Sequence, residues 1–313
     1  MKQLRFICAQ PAIKYYAWQV EVLLNNFIKR EVNLNHVDIL CSIYNNVIPI
    51  EWSKLANAYA ARFFFYNDTR KTRYYISSLR PNVLKQHWLA HPYLKDYAIF
   101  YHDCDILFTK PVSKWITKQM LSNNEWYGSN TCSYIAHSYI KSKGDDIIQK
   151  MCEIMELDEK LIKDNELNCI GAQYLMKNLD FEFWDKVESD CEKLFRTINE
   201  MGMQKKAADN TYHELQIWCA DMWAILWGAW RLGYKTNCHK NFDFSWATSI
   251  ADEYNKMNIM HNAGAVSPDN GLFYKALYMN EYQYYKDLDI LKDTASYFYW
   301  QEVCETSKKS CLI

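Results

Sequence analysis

No C-x-x-C pair occurs among the eleven cysteines of this 313-residue chain, and no Cys/His spacing has the form of a zinc site. Scattered from Cys8 to Cys311, they read as free, mostly buried thiols of a reducing compartment. Glycine and proline are also scarce, at eight and six, and no Gly/Ser/Pro-rich stretch separates two halves. One continuous domain over residues 1–313 is expected. Charge of one sign is lacking too: 36 basic against 37 acidic side chains leave a net charge of −1, so no global field draws the chain to nucleic acid or anionic membrane. The longest apolar run, Met222 to Trp230, is far short of the ~20 residues that span a bilayer. The apolar N-terminal stretch is too short for a signal peptide, and Cys311, third from the end, misses the prenylation pattern. A cytoplasmic protein with no membrane partner is the expectation.

What is present is apolar and aromatic: half the residues are hydrophobic and 16% are Phe, Trp or Tyr, enough for a sizeable core and for stacked clefts. Strand-like runs alternate with segments of helical period. Leu4 to Ala9 reads as a strand and Ile13 to Arg30 as a helix, with Tyr15, Trp18, Val22, Leu23 and Phe27 on one face. Strands follow at Val37 to Tyr44, Phe63 to Tyr66, Tyr97 to Phe108 and Trp126 to Ser129. Helices are expected near Trp52 to Ala61, Pro81 to Leu89, Phe183 to Ile198 and Glu214 to Trp227. The charged segment Glu156 to Glu166 reads as a solvated helix. This βαβ rhythm predicts an α/β fold with a central, mainly parallel sheet flanked by helices.

Within Tyr97 to Phe108 an apolar strand acquires Asp103 and Asp105, two residues apart and therefore on one face of an extended chain. Two carboxylates in so apolar a setting need a compensating cation or hydrogen-bond network. A hard divalent ion, Mn²⁺ or Mg²⁺, supplies that and keeps positions open for phosphate oxygens. Cys104 is too soft to be a ligand beside them. D-x-D alone is weak, since the same spacing also makes turns and helix caps.

The segment from Asp103-Cys104-Asp105 through Ile106-Leu107-Phe108 to Lys110-Pro111 resembles the D-x-D strand of GT-A glycosyltransferases. Ile259-Met260-His261-Asn262-Ala263-Gly264 is similar to the segment whose histidine completes the metal shell in several such families. Further likenesses, at Ala9-Gln10-Pro11, Trp18-Gln19, Ser129 to Gly144, Gly171 to Tyr174 and Ala220 to Trp223, resemble hydroxyproline O-arabinosyltransferase-related enzymes and the glycosyltransferases found in phages beside thymine- or cytosine-oxidising dioxygenases. The resemblance implies a GT-A (Rossmann-like) domain, with a nucleotide-sugar half at about 1–130 and an acceptor half at about 131–300. It implies Asp103, Asp105 and His261 as metal ligands, and a sugar donor, UDP-linked by family likeness. The acceptor is a glycan, a protein hydroxyl or a hydroxymethylated nucleobase. If the chain is viral, the cytoplasm in question is the host's.

Other residues take candidate roles beside their ordinary ones. Gln10, Pro11 and Tyr15, at the end of the first strand and its loop, are placed by the same analogy at the nucleotide base, or simply pack the strand end on the first helix. Arg73 and Arg80 contact the diphosphate or are solvated arginines. Asn262 and Gly264 flank the histidine, the glycine allowing backbone close to a phosphate. Lys275 is a cation for the leaving group or a surface lysine. Asp221, a lone carboxylate in an apolar helix, is the candidate general base for the acceptor hydroxyl, or else a buried ion-pair partner. Gln173 is a second acceptor-side candidate, able to bond sugar hydroxyls, or a polar residue opening a helix. The rival functions are a non-catalytic carbohydrate-binding protein and a metal-dependent phosphohydrolase, the latter disfavoured because Leu107 stands where a D-x-D-x-T motif requires threonine.

Overall fold

A computed structural model describes residues 2–281 and 287–313. Among these residues ten strands form two sheets: β1 (Leu4–Pro11), β2 (Val37–Ile43), β3 (Arg62–Asn67), β4 (Ala98–Tyr101), β5 (Ile106–Phe108), β6 (Trp126–Asn130), β7 (Ile170–Lys177), β8 (Thr236–Cys238), β9 (Phe244–Trp246) and β10 (Ile259–His261). The larger sheet has the order β3-β2-β1-β4-β7-β6-β8. Pairing is parallel from β3 to β4 and between β6 and β8, and β7 alone runs against its two neighbours. It is the α/β, mainly parallel sheet expected from the alternating pattern.

Burial on both faces explains why the strand sequences are near-continuous apolar runs. Every residue of β2 is buried, and β1 sends Phe6 and Cys8 into one core while Ile7 and Ala9 enter the other. The first core is closed by the helix Lys14–Lys29, whose face of Trp18, Val22, Leu23 and Phe27 is fully buried. The second is closed by the helices Leu79–Ala90, Phe181–Ala208 and Ala220–Arg231. No described helix is long and apolar enough to cross a membrane.

Three expectations are corrected. Tyr97 to Phe108 is not one strand: β4 ends at Tyr101, residues 102–105 turn, and β5 leaves for a second sheet of order β5-β10-β9. The turn is imposed from outside the segment, because β4 is bonded to β1 and β7 while β5 finds its partner in β10. Asn26 fixes the exit, its side-chain amide accepting from Phe108 N–H at 2.8 Å and donating to Phe108 C=O at 3.2 Å. Glu214 to Trp227 is not wholly helical either; a short turn at Ile217–Cys219 precedes a helix that begins only at Ala220. Gln173 opens no helix: it lies within β7.

Candidate functional site

Asp103 and Asp105 stand in the turn beyond the carboxyl end of β4, beside the carboxyl end of β1, where an open α/β sheet binds its ligands. His102 shapes the turn, its Nδ1–H donating to the Asp103 carbonyl at 2.8 Å. The antiparallel register of β5 with β10 sets His261 opposite Ile106, and Asn262 N–H donates to the Asp105 carbonyl at 2.9 Å. His261 Nε2 thereby comes within 3.3 Å of Asp105 Oδ1 and 3.6 Å of Asp103 Oδ2.

These three side chains offer ligand atoms that all lie within 4.8 Å of one another, the one such group among the described residues. Two carboxylates and an imidazole suit a hard to borderline divalent cation, and three protein donors on a six-coordinate ion leave positions for phosphate oxygens. The residues therefore fit the metal that the D-x-D resemblance implies. Cys104 is buried, burial pushes its thiol well up, and it is not part of the group that Asp103, Asp105 and His261 form.

Charge around the pair is balanced by two cations. Arg80, in the first turn of the helix Leu79–Ala90, reaches Asp103 Oδ1 at 2.6 Å with one arm and Asp221 Oδ2 at 2.5 Å with the other. The Lys275 ammonium is in direct contact with Asp105. Burial works against the charged form of Asp105, yet Lys275 and then His261 overcome it and hold the carboxyl well below the usual range. Lys275 answers in kind: burial alone lowers an ammonium, and facing Asp105 raises it.

Two cavities meet at this cluster. One, of about 340 Å³, is lined by Gln10, Pro11, Tyr15, Tyr16, Gln19, Arg80, Asp103, Asp105, His261 and Lys275. The other, of about 240 Å³, is lined by Arg80, Tyr101, Asp103, Tyr134, Tyr174, Trp218, Asp221, Trp246 and His261. Arg80, Asp103 and His261 belong to both. The second is an aromatic box, with Tyr134 stacked near Trp218 and the buried Tyr174 hydroxyl lacking a hydrogen-bond partner among the described residues.

The structure thus brings Gln10, Pro11 and Tyr15 from one segment, and Arg80, Asp221 and Lys275 from three others, to the metal-type cluster. It does not bring Arg73, whose side chain is exposed and paired with Asp68 at 3.2 Å, so the expected diphosphate contact is corrected. Asp221 is no lone carboxylate: Oδ2 holds Arg80, and Oδ1 lies 2.6 Å from the Tyr75 hydroxyl. Gln173 lines neither cavity; it is fully buried behind His261, between its Nδ1 at 3.2 Å and Ser129 Oγ at 2.6 Å. The Asn262 side chain is buried with no hydrogen-bond partner among the described residues, and Gly264 packs near Trp246 and Thr248 at a φ of +89°. Neither lines either of these two cavities. Tyr16, Tyr134, Tyr174, Trp218 and Trp246 were not singled out in sequence. In an aromatic-rich chain nothing separates a cavity wall from core.

No protein-family model and no curated protein sequence matches the chain. Solved structures do. The galactosyltransferase LgtC, in complex with donor and acceptor sugar analogues, aligns over 97% of this chain and 95% of its own at 10% identity, with a TM-score of 0.42, too loose to argue from. WbbM, a bifunctional glycosyltransferase in apo form, aligns over 99% of this chain at 11% identity with a TM-score of 0.51. The fold is GT-A. This chain spans half the length of WbbM. The Asp103 turn lies at the strand ends of this sheet, and its cluster borders both cavities there.

Proposed function

We propose that this chain is a metal-dependent glycosyltransferase that moves a sugar from a nucleotide-sugar donor, UDP-linked by resemblance, to an acceptor hydroxyl. The observation that carries the reading is the Asp103, Asp105 and His261 group at the junction of two cavities on a GT-A sheet. A Mn²⁺ or Mg²⁺ ion held there supplies charge neutralisation for the donor's diphosphate as it leaves. The cavity lined by Gln10, Pro11, Tyr15 and Lys275 takes the nucleotide, with Lys275 as a further cation for the diphosphate. The aromatic cavity takes the transferred sugar and the approaching acceptor, whose hydroxyls pair with Asp221, Arg80 and the Tyr174 hydroxyl. Both oxygens of Asp221 are already engaged, which favours a role in holding Arg80 and sugar over proton abstraction. A glycan, a protein hydroxyl and a hydroxymethylated nucleobase are the acceptor classes to screen, in a single-domain enzyme of the cytoplasm.

Calorimetric titration of UDP with and without Mn²⁺, on wild type and Asp105→Asn, tests this. The expected result is metal-dependent UDP binding weakened at least about 100-fold by the substitution, since a first ligand is lost. Absence of metal-dependent binding for UDP and every other nucleoside diphosphate sinks the catalytic reading and promotes a carbohydrate-binding one.

A further inference from the structure

We propose that Gln173 is a positioning residue for His261: anchored by Ser129, its amide oxygen accepts the Nδ1–H of the imidazole and so keeps Nε2 free of a proton where it faces Asp103 and Asp105. This role rests on the metal reading above.

The two ends of a glutamine amide are told apart by their neighbours. Ser129 Oγ has one proton and two close neighbours, the Phe242 carbonyl at 2.7 Å and one end of the Gln173 amide at 2.6 Å. A carbonyl only accepts, so the Ser129 proton goes to Phe242. The amide end at Ser129 must then be the NH₂, donating to Oγ. The structure sets Oε1 at Ser129 and Nε2 3.2 Å from His261 Nδ1; exchanging these two ends, which are alike in shape, puts the oxygen at His261, where it bonds only if Nδ1 carries the proton. A neutral imidazole protonated at Nδ1 has its lone pair on Nε2, the atom 3.3 Å from Asp105 and 3.6 Å from Asp103. The reverse orientation fails twice: it gives Ser129 two acceptors for one proton, and it puts a proton on the nitrogen that must bind metal. Ser129 and Gln173 are fully buried, so solvent does not relax the choice.

The backbone is bent to make this contact. Gly128 pairs with Tyr174, but Ser129 pairs with Gly171, which leaves Ala172 and Gln173 as a bulge in β7 with Ala172 at a φ of +59°. Only glycine fits opposite it, because a Cβ on Gly128 would stand 2.8 Å from both the Gln173 carbonyl oxygen and Ile170 Cβ. A regular pairing would set Gln173 opposite Ser129 and give the strand no such kink beneath the histidine.

Two measurements test the assignment. ¹⁵N NMR of the metal-free protein, at a pH where the ring is neutral, with His261 assigned by its loss in His261→Asn, should show the Nδ1–H tautomer. Mn²⁺ titration followed by EPR should show affinity about 10- to 100-fold weaker in Gln173→Met, which keeps the bulk and loses the acceptor, and within about 3-fold of wild type in Gln173→Glu, which keeps it. A residue that merely fills space predicts equal Mn²⁺ affinity in both. An Nε2–H tautomer in the wild type overturns the proposal, as does a folded Gln173→Met protein that binds Mn²⁺ like wild type, or a Glu variant that loses as much as Met. If Gln173→Met does not fold, the wild-type spectrum and Gln173→Glu decide. Wild-type protein that binds no Mn²⁺ overturns the metal reading itself, and with it this role, whatever tautomer His261 shows.

Discussion

His102 holds the turn that carries Asp103, and its burial makes the fold sensitive to acid. The ring is 1% exposed, lies between Phe27 and Phe100, donates Nδ1–H to the Asp103 carbonyl and has no partner for Nε2 among the described residues. Burial lowers its pKa from 6.5 to about 4. A histidine depressed in the folded state is protonated first in the unfolded chain. Stability is therefore complete above the unfolded value and is lost as pH falls from about 6.5 towards about 4. The full difference of about 2.5 units corresponds to about 3 kcal/mol, of which about 2 kcal/mol is spent by pH 5. His102→Gln keeps a donor for the Asp103 carbonyl but does not titrate. Urea denaturation of metal-free wild type and variant across pH 5 to 7 should show the gap between them closing by about 2 kcal/mol towards pH 5. Parallel curves for the two proteins would refute the buried, neutral imidazole.

Three further outcomes follow from the same geometry. Asp38, fully buried, binds Arg5 at 2.8 Å and Arg62 at 2.7 Å, so Asp38→Asn strands a buried guanidinium and should cost about 3 kcal/mol or more in urea denaturation. A Cβ at Gly171 would meet the Met222 methyl and stand 2.7 Å from Thr131 Oγ1, so Gly171→Ala should cost about 1–3 kcal/mol by the same measurement. Its displaced Met222 lines the aromatic cavity, which should shrink and weaken sugar binding. Trp218 is 57% exposed, so Trp218→Ala should leave stability within about 0.5 kcal/mol. Under the proposed function it should nonetheless raise KM for the substrate in the aromatic cavity while leaving the UDP titration unchanged.

The parts of the site legible in sequence were those whose residue types conflict with their surroundings. Asp103 and Asp105 interrupt an apolar run, and Asp221 does the same in a helix. Such conflicts mark a position as needing a partner without naming it. Asp221 proved to have two partners, Arg80 and Tyr75, drawn from a segment more than a hundred residues earlier. Arg80 and Arg73 were indistinguishable in the sequence. Helical placement turned Arg80 inward between two carboxylates, whereas Arg73 meets Asp68 at the surface.

By itself the sequence determined the alternation of strands and helices, because burial on both faces of a parallel sheet demands unbroken apolar strands, and amphipathic helices demand a surface to cover. It also determined the chemistry available at the Asp-Cys-Asp turn. Only the tertiary structure decided where one strand became two, since β4 and β5 pair with different sheets. Only the β5–β10 register set His261 against Asp105 across more than 150 residues, and only a bulge in β7 placed Gln173 behind it. Those choices rest on hydrogen-bond partners supplied by distant segments, and no local pattern of residues encodes a partner's position.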